Sequence, residues 1–283
     1  MKQAAYNNYV EGKVIIETGA AGGFGLAKVE KLCAMGAKVV MADFNADALK
    51  KEAVRLKEAG CDVTPVVTDV SKLDQVCNMV QVCLDTYGRV DVLVNNAGIM
   101  PNAPWYDHEQ ALPAWEKCID INLKGTMYGV TAVYDQMIKQ GQGQVIFISS
   151  IYANYPVYGS GVYQATKIGV CYLAQSLLQE GGGKIKTSIV KPTGVASTNL
   201  KSGIVDRESV KGIYGRQYQE FLDRSAAQKE GIADPDLDNI NSIKNGAIGA
   251  SEIAEAVIHC INQPMGVNIS EITARATNEL YSL

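Results

Sequence analysis

The sequence predicts a doubly wound α/β fold: one parallel sheet of about seven strands with helices on both faces. Two observations carry this. Short β-branched runs alternate with helical stretches along nearly all of the 283 residues, the pattern of parallel strands joined by crossover helices. A glycine cluster, Thr18-Gly19-Ala20-Ala21-Gly22-Gly23-Phe24-Gly25, separates the first such run from the first helix, where a sharp turn onto a helix N-terminus belongs.

The first strand is Val14 to Ile16. The helix after the glycines runs from about Phe24 to Met35 and stops at Gly36, a residue that accepts the left-handed conformation closing many helices. Lys38 to Ala42 is the second strand, and Ala46 to Ala59 an amphipathic helix ending at Gly60. Val63 to Val67 is the third strand, followed by a helix from about Lys72 to Tyr87 that ends at Gly88. Val92 to Val94 is the fourth strand, and a long helix covers Ala114 to Lys139, broken off at Gly141. Val145 to Ile148, the helix Val162 to Gln179 and Thr187 to Val190 follow. A helix from Ser251 to Ile261 and a last strand from Val267 to Thr273 complete the sheet. Crossovers between parallel strands are expected to be right-handed. Thr198 to Gly249 is polar, charged and poor in strand formers. It reads as a helical substrate lobe inserted within one domain spanning 1–283.

Composition narrows the function. Hydrophobic residues make up 47% and the net charge is −4 with both signs dispersed. No basic run favours nucleic acid, and no apolar stretch is long enough to span a membrane. Met1 to Gly12 is polar and lacks an apolar signal core, so a cytoplasmic protein is expected. The seven cysteines are odd in number with no CxxC, which favours buried free thiols over a metal or disulfide framework. His108 and His259 have no ligand partner nearby in sequence, and no metal site is expected.

Tyr163 and Lys167 stand four residues apart, and Ser150 precedes the tyrosine by thirteen at the end of a strand-like run. Positions i and i+4 share a helix face. A phenol beside an ammonium is expected to hold its proton less tightly than the usual pKa of about 10. Tyr9 and Lys13 repeat the spacing, but no serine-tipped strand and no glycine turn precede them.

In the glycine turn, Gly19 permits the tight bend, Gly23 lets the backbone approach a diphosphate and Gly25 lets helix and strand pack closely. The helix N-terminus offers free N–H groups and partial positive charge to the phosphates. Asp43 ends the second strand, 18 residues after Gly25, where a carboxylate accepts hydrogen bonds from the adenosine ribose hydroxyls. It also stands where an N-cap of the next helix is needed. No arginine or lysine occupies residues 20 to 22 or 44 to 46, so NAD is favoured over NADP.

These residues together resemble the short-chain dehydrogenase/reductase family over nearly the whole chain. The TGxxxGxG turn appears as Thr18 to Gly25, the ribose acid as Asp43 and the adenine-contacting pair as Asp69-Val70. The NNAG motif is Asn95-Asn96-Ala97-Gly98, and the helical asparagine, serine, tyrosine and lysine are Asn122, Ser150, Tyr163 and Lys167. The resemblance implies a Rossmann-type fold, a homodimer or homotetramer, and interconversion of a ketone and an alcohol with NAD. Cofactor contacts are implied for Gly19, Gly22, Gly23, Phe24, Gly25, Asp43, Asp69, Val70, Asn96, Ala97 and Gly98, and for Tyr163, Lys167, Pro192, Gly194 and Val195. Tyr163 becomes the general acid/base, Ser150 the group that hydrogen-bonds the carbonyl, and Lys167 the group that lowers the tyrosine pKa and holds the nicotinamide ribose. Asn122 is implied to position a water that links Lys167 to solvent.

Three departures stand out. Glu17 occupies a position where the family usually has an aliphatic residue. Thr193 replaces the glycine of the Pro-Gly pair after the sixth strand. The last strand lacks a glycine-rich ending.

The substrate pocket is expected from Tyr152, Tyr155, Pro156, Val157 and Tyr158, from Ile99 to Tyr106, and from Tyr214, Tyr218 and Phe221 of the lobe. Trp105 suits either the pocket or an interface. This aromatic and aliphatic supply suits a ring-containing alcohol or ketone of hydroxysteroid, bile acid or flavonoid type. The alternatives are a dehydrogenase of small polar diols or hydroxy acids, a non-catalytic NAD-binding sensor or scaffold, and an epimerase of the extended branch, whose usual turn is TGxxGxxG.

Overall fold

In the computed structural model, which describes residues 7–194, 200 and 203–280, seven strands form one parallel sheet. The strands are β1 (Val14–Thr18), β2 (Lys38–Asp43), β3 (Asp62–Val67), β4 (Val92–Asn95), β5 (Gly143–Ile148), β6 (Ile185–Pro192) and β7 (Glu271–Ala274), in the order β3-β2-β1-β4-β5-β6-β7. The order reverses between β1 and β4. A crevice therefore opens there at the carboxyl edge, where such sheets bind ligands.

Alternate residues of the strands feed two cores. Ile15, Val39, Met41 and Val92 pack with α1 (Gly23–Ala34), α2 (Ala46–Glu58) and α9 (Ala250–Ile261) on one face. Ile16, Val40 and Leu93 pack with α3 (Leu73–Tyr87), α5 (Gly125–Gln140) and α6 (Gly161–Glu180) on the other. Burial on both faces explains why the strands read as continuous apolar runs. Between β6 and α9, the described residues form α7 (Ser209–Tyr214), α8 (Tyr218–Glu230) and short turns, with no strand among them. Thr198, the expected lobe boundary, lies outside the described residues. No helix among the described residues is long and apolar enough to cross a membrane.

Two elements differ from expectation. The helix placed at 114 begins at His108, as α4 (His108–Cys118), and continues through a π-helical segment, Ile119–Lys124, into α5. Pro113 falls just past the first turn, where its missing N–H removes one bond without ending the helix. The last strand starts at Glu271 rather than Val267, because Val267 N donates to Pro264 O (2.9 Å) and the chain is still turning there. Of the seven free cysteines, Cys77 is exposed, Cys33 and Cys61 are half-buried, and the other four are buried as expected.

Glu17 has found a partner. Its carboxylate lies 2.7 Å from Lys28 Nζ of α1, and both side chains are wholly buried. Burial raises the Glu17 pKa to about 7 against the opposing pull of Lys28, and burial lowers that of Lys28. Removing one partner of a buried ion pair strands the other charge, whereas an apolar pair of similar size is often tolerated. Lys28→Met should therefore cost about 3–5 kcal/mol in urea unfolding, and adding Glu17→Leu should recover most of the loss. A double variant as unstable as the single would show that the cost lies in packing.

Candidate active site

The glycine turn joins β1 to α1. Gly19 has φ +70°, and a Cβ on Gly25 would stand 1.9 Å from Gly19 O, so only glycine lets the helix seat on the turn. The N-cap, Gly22, contributes no side-chain bond to the helix end, which leaves its N–H groups directed at the crevice. The Asp43 carboxylate accepts hydrogen bonds from Ala21 N (3.0 Å) and Asn45 N (2.9 Å). The cap of α2 is Asn45, whose side chain accepts from Ala48 N, so Asp43 is free of that task. Beside it, Phe44 is 76% exposed, an aromatic next to the Asp43 carboxylate that the sequence reading passed over. Asp69 accepts from Ser71 N (3.0 Å) and Ser71 Oγ (2.7 Å). Val70 packs on Gly125, where a Cβ would come within 2.9 Å.

The loop after β4 is clamped twice. Thr18 Oγ1 accepts from Asn96 N (2.9 Å) and Ala97 N (3.1 Å), while Asn96 Nδ2 donates to Thr18 O (2.7 Å). The Asn96 side chain thus ties this loop to the glycine turn. Asn122, in the π-helical segment, accepts from Ile99 N (2.9 Å) and donates to Ile99 O (2.9 Å). Its Nδ2 also lies 3.2 Å from both Cys118 Sγ and Thr166 Oγ1. A Cβ on Gly98 would meet Asn122 Oδ1 at 3.2 Å and Lys167 Nζ at 3.5 Å, so NNAG ends against both residues. The Asn122 amide holds the loop through both backbone groups of Ile99. Cys118 and Thr166 were missed, although Cys118 lies one turn before Asn122 and Thr166 directly precedes Lys167.

The two serines ending β5 have separate tasks. Ser149 Oγ donates to Lys167 O (2.9 Å), fastening α6 to the sheet. Ser150 Oγ hydrogen-bonds the Tyr163 phenol and accepts from Tyr152 N (3.2 Å). Lys167 Nζ donates to Ile148 O (2.8 Å) and lies 5.7 Å from the centre of the Tyr163 ring. One expectation is corrected here. Burial raises the phenol pKa above its ordinary value, and the Ser150 bond offsets this only in part. The ammonium sits over the ring and on a backbone carbonyl, and burial draws its own pKa down to about 8.

The expected substrate residues fall in two neighbouring groups that share Tyr152. Tyr152 meets Tyr163 edge-on at 6.0 Å. Tyr214 joins Tyr163 in one apolar cluster with Met100, Ile151, Ile213 and Leu280, and Tyr218 packs against it. Tyr155 is not part of that cluster; with Tyr152, Pro156, Gly161, Ala165 and Ile168 it lines a cavity of about 340 Å³, reached from a different side of α6 than Tyr163, because the helix turns about 100° per residue. Tyr158 is more than half exposed and hydrogen-bonded to Tyr106. Trp105 lies over the start of α6, 5.1 Å from Trp115. Pro192 ends β6 at the carboxyl edge of the sheet and Gly194 follows it; Val195 lies outside the described residues.

The family model for short chain dehydrogenase matches residues 13–209. An uncharacterized oxidoreductase of Staphylococcus saprophyticus is 31% identical over 275 residues, covering 96% of this chain and 99% of its own. A short-chain dehydrogenase/reductase of Burkholderia phymatum, solved with NAD, is 25% identical with a TM-score of 0.73, covering 94% of this chain and 89% of its own. An alcohol dehydrogenase of the archaeon Thermococcus sibiricus, solved with 5-hydroxy-NADP, shares the fold at 24% identity and a TM-score of 0.75, covering 95% of this chain and 98% of its own.

The Lys167 pKa makes a stability prediction. Between about 8 and the ordinary 10.5, the unfolded chain holds a proton that native Lys167 has released. The stability contributed by neutral Lys167 is therefore present above 10.5 and lost as pH falls through 8. Wild type should gain stability over Lys167→Met as pH rises from 8 to 10 in urea titrations. A flat difference would show an unshifted lysine.

Proposed function

The chain belongs to the short-chain dehydrogenase family, and from that premise we propose that it is an oxidoreductase interconverting a secondary alcohol and a ketone with NAD(H). The observation that carries the reading is the meeting of the Tyr163 phenol, the Ser150 hydroxyl and the Lys167 ammonium at the carboxyl end of β5. The crevice beside them fits a dinucleotide: Gly25 seats the helix N-terminus on the turn, and Asp43 presents a carboxylate.

A bound nicotinamide supplies the site that accepts or donates a hydride. Tyr163 gives its phenolic proton to the carbonyl oxygen in reduction and takes it back in oxidation. Ser150 holds the same oxygen and stabilises charge developing on it. Lys167 adds positive charge over the Tyr163 ring and anchors the site to β5 through Ile148 O. With its pKa raised by burial, the phenol is protonated near neutrality, the state ketone reduction requires.

Asp43 favours NAD, since a 2′-phosphate there would meet like charge. The solved neighbours with NAD and with an NADP derivative support a nicotinamide dinucleotide in either form. The apolar cluster around Tyr163 favours a bulky ring substrate. Exposed Met127, Ile168 and Tyr172 on α5 and α6 favour a homodimer or homotetramer.

Turnover of a polycyclic ketone and of a small hydroxy acid, each followed at the reduced-nicotinamide band, tests the substrate class; preference for the small acid would reverse it. Binding of NADH without turnover of any substrate would favour a sensor. With the preferred substrate, Tyr163→Phe should lose about 10²–10⁴-fold in kcat with NADH affinity nearly intact, and a near-normal rate would exclude the tyrosine. Asp43→Ala should weaken NAD binding about 10-fold or more, as loss of charge-assisted hydrogen bonds does, and relax discrimination against NADP. Wild type that binds NADP more tightly than NAD would contradict the ribose assignment.

A further inference from the structure

Past β7 the chain is tied at both ends to elements of the site. The Thr193 hydroxyl, between Pro192 and Gly194, lies against the Glu279 carboxylate and within 3.3 Å of Ala274 O. The Glu279 side chain is wholly buried and also meets the Arg275 guanidinium at 2.8 Å. Asn278 is fixed to the lobe: its N–H donates to Asn245 O (2.9 Å), Nδ2 donates to Lys244 O (3.2 Å), and its carbonyl accepts from Arg224 Nη1 (3.3 Å). Leu280 then enters the apolar cluster that holds Tyr163, Met100, Ile213 and Tyr214.

We propose that residues 275–280 form a strap that makes one wall of the substrate pocket, and that Thr193 and Glu279 are the positioning residues that set Leu280 against Tyr163. The inference rests on the reading of Tyr163 as the group at the substrate oxygen. A buried carboxylate is costly unless its oxygens are met by donors. Here Arg275 of the strap supplies an ion pair to one oxygen, and the hydrogen-bond donor to the other comes from the loop leaving β6. Glycine at 193 would remove that donor. The replacement of glycine by threonine thus acquires a purpose: it joins the loop leaving β6 to the strap, and through Asn278 to the lobe. Leu280, one residue past the buried anchor, has little freedom to leave the pocket while the anchor holds. The strap therefore sets how large a substrate the pocket admits and how well an apolar ring is matched.

The test separates hydrogen bonding from packing in the full-length protein. Thr193→Ser keeps the hydroxyl and loses the methyl; Thr193→Val keeps the shape and loses the donor. Hydrogen exchange of the backbone amides of residues 276–280 is read by mass spectrometry. The ratio of kcat/KM for the bicyclic 1-decalone to that for 2-butanone is read beside it. The Val variant should speed exchange by about 10-fold, the effect of losing a hydrogen bond to a charged group, and lower the decalone preference by a similar factor. The Ser variant should retain both wild-type values. Leu280→Ala should lower the decalone preference without faster exchange at 276–279. The proposal is overturned if Val behaves as wild type, if Ser fails as Val does, or if exchange quickens while the ratio stays fixed. If wild type reduces neither ketone, the catalytic reading fails, and the exchange results alone decide whether Thr193 holds the strap.

Discussion

The parallel alignment of β1, β4, β5 and β6 is the constraint from which the rest of the site follows. When neighbouring strands run the same way, every loop that leaves them emerges on one edge. The glycine turn, the NNAG loop, the Ser149-Ser150 pair and the Pro192-Thr193 exit therefore meet without any of them being close in sequence. The reversal of strand order between β1 and β4 opens a crevice at that edge. α6 returns across the sheet with Tyr163 and Lys167 on its inner side, fastened by the bond from Ser149 to Lys167 O.

Polar side chains hold this edge in place. Thr18 and Asn96 bind the first and fourth loops to each other. Asn122 closes both backbone groups of Ile99 from a π-helical turn, an irregularity common at functional sites. Glu17 and Lys28 pair beneath the glycine turn with no access to water. Buried ion pairs contribute little net stability relative to apolar packing. What the pair does impose is direction, because an ammonium and a carboxylate must meet at a defined distance whereas two aliphatic chains can slide.

Much of this was legible because the signals are local. Glycines that close helices act through their own φ, as at Gly88 and Gly141, and the β-branched runs announce strands buried on both faces. The glycine turn and the Ser150, Tyr163 and Lys167 spacing are likewise contained in short segments. What escaped depends on the folded environment. Lys28, the partner of Glu17, lies on another element, and Glu279, the partner of Thr193, is 86 residues away. The phenol pKa rises because burial, a property of the whole cluster, outweighs the Ser150 hydrogen bond. The cavity that Tyr155 lines with Tyr152 and α6 is likewise assembled only in the fold.

The central claim is that the phenol oxygen of Tyr163 faces the reacting carbon of a nicotinamide laid across the carboxyl edge of β1 and β4. A crystal structure of the protein with NADH and a ring ketone tests it most directly. The account predicts the diphosphate on the first turn of α1, the adenosine ribose on Asp43, and the ketone oxygen within about 3–3.5 Å of the phenol, as a reactive geometry requires. A nicotinamide bound away from α6, or a ketone oxygen held by other groups with Tyr163 still sealed in its apolar cluster, would contradict it.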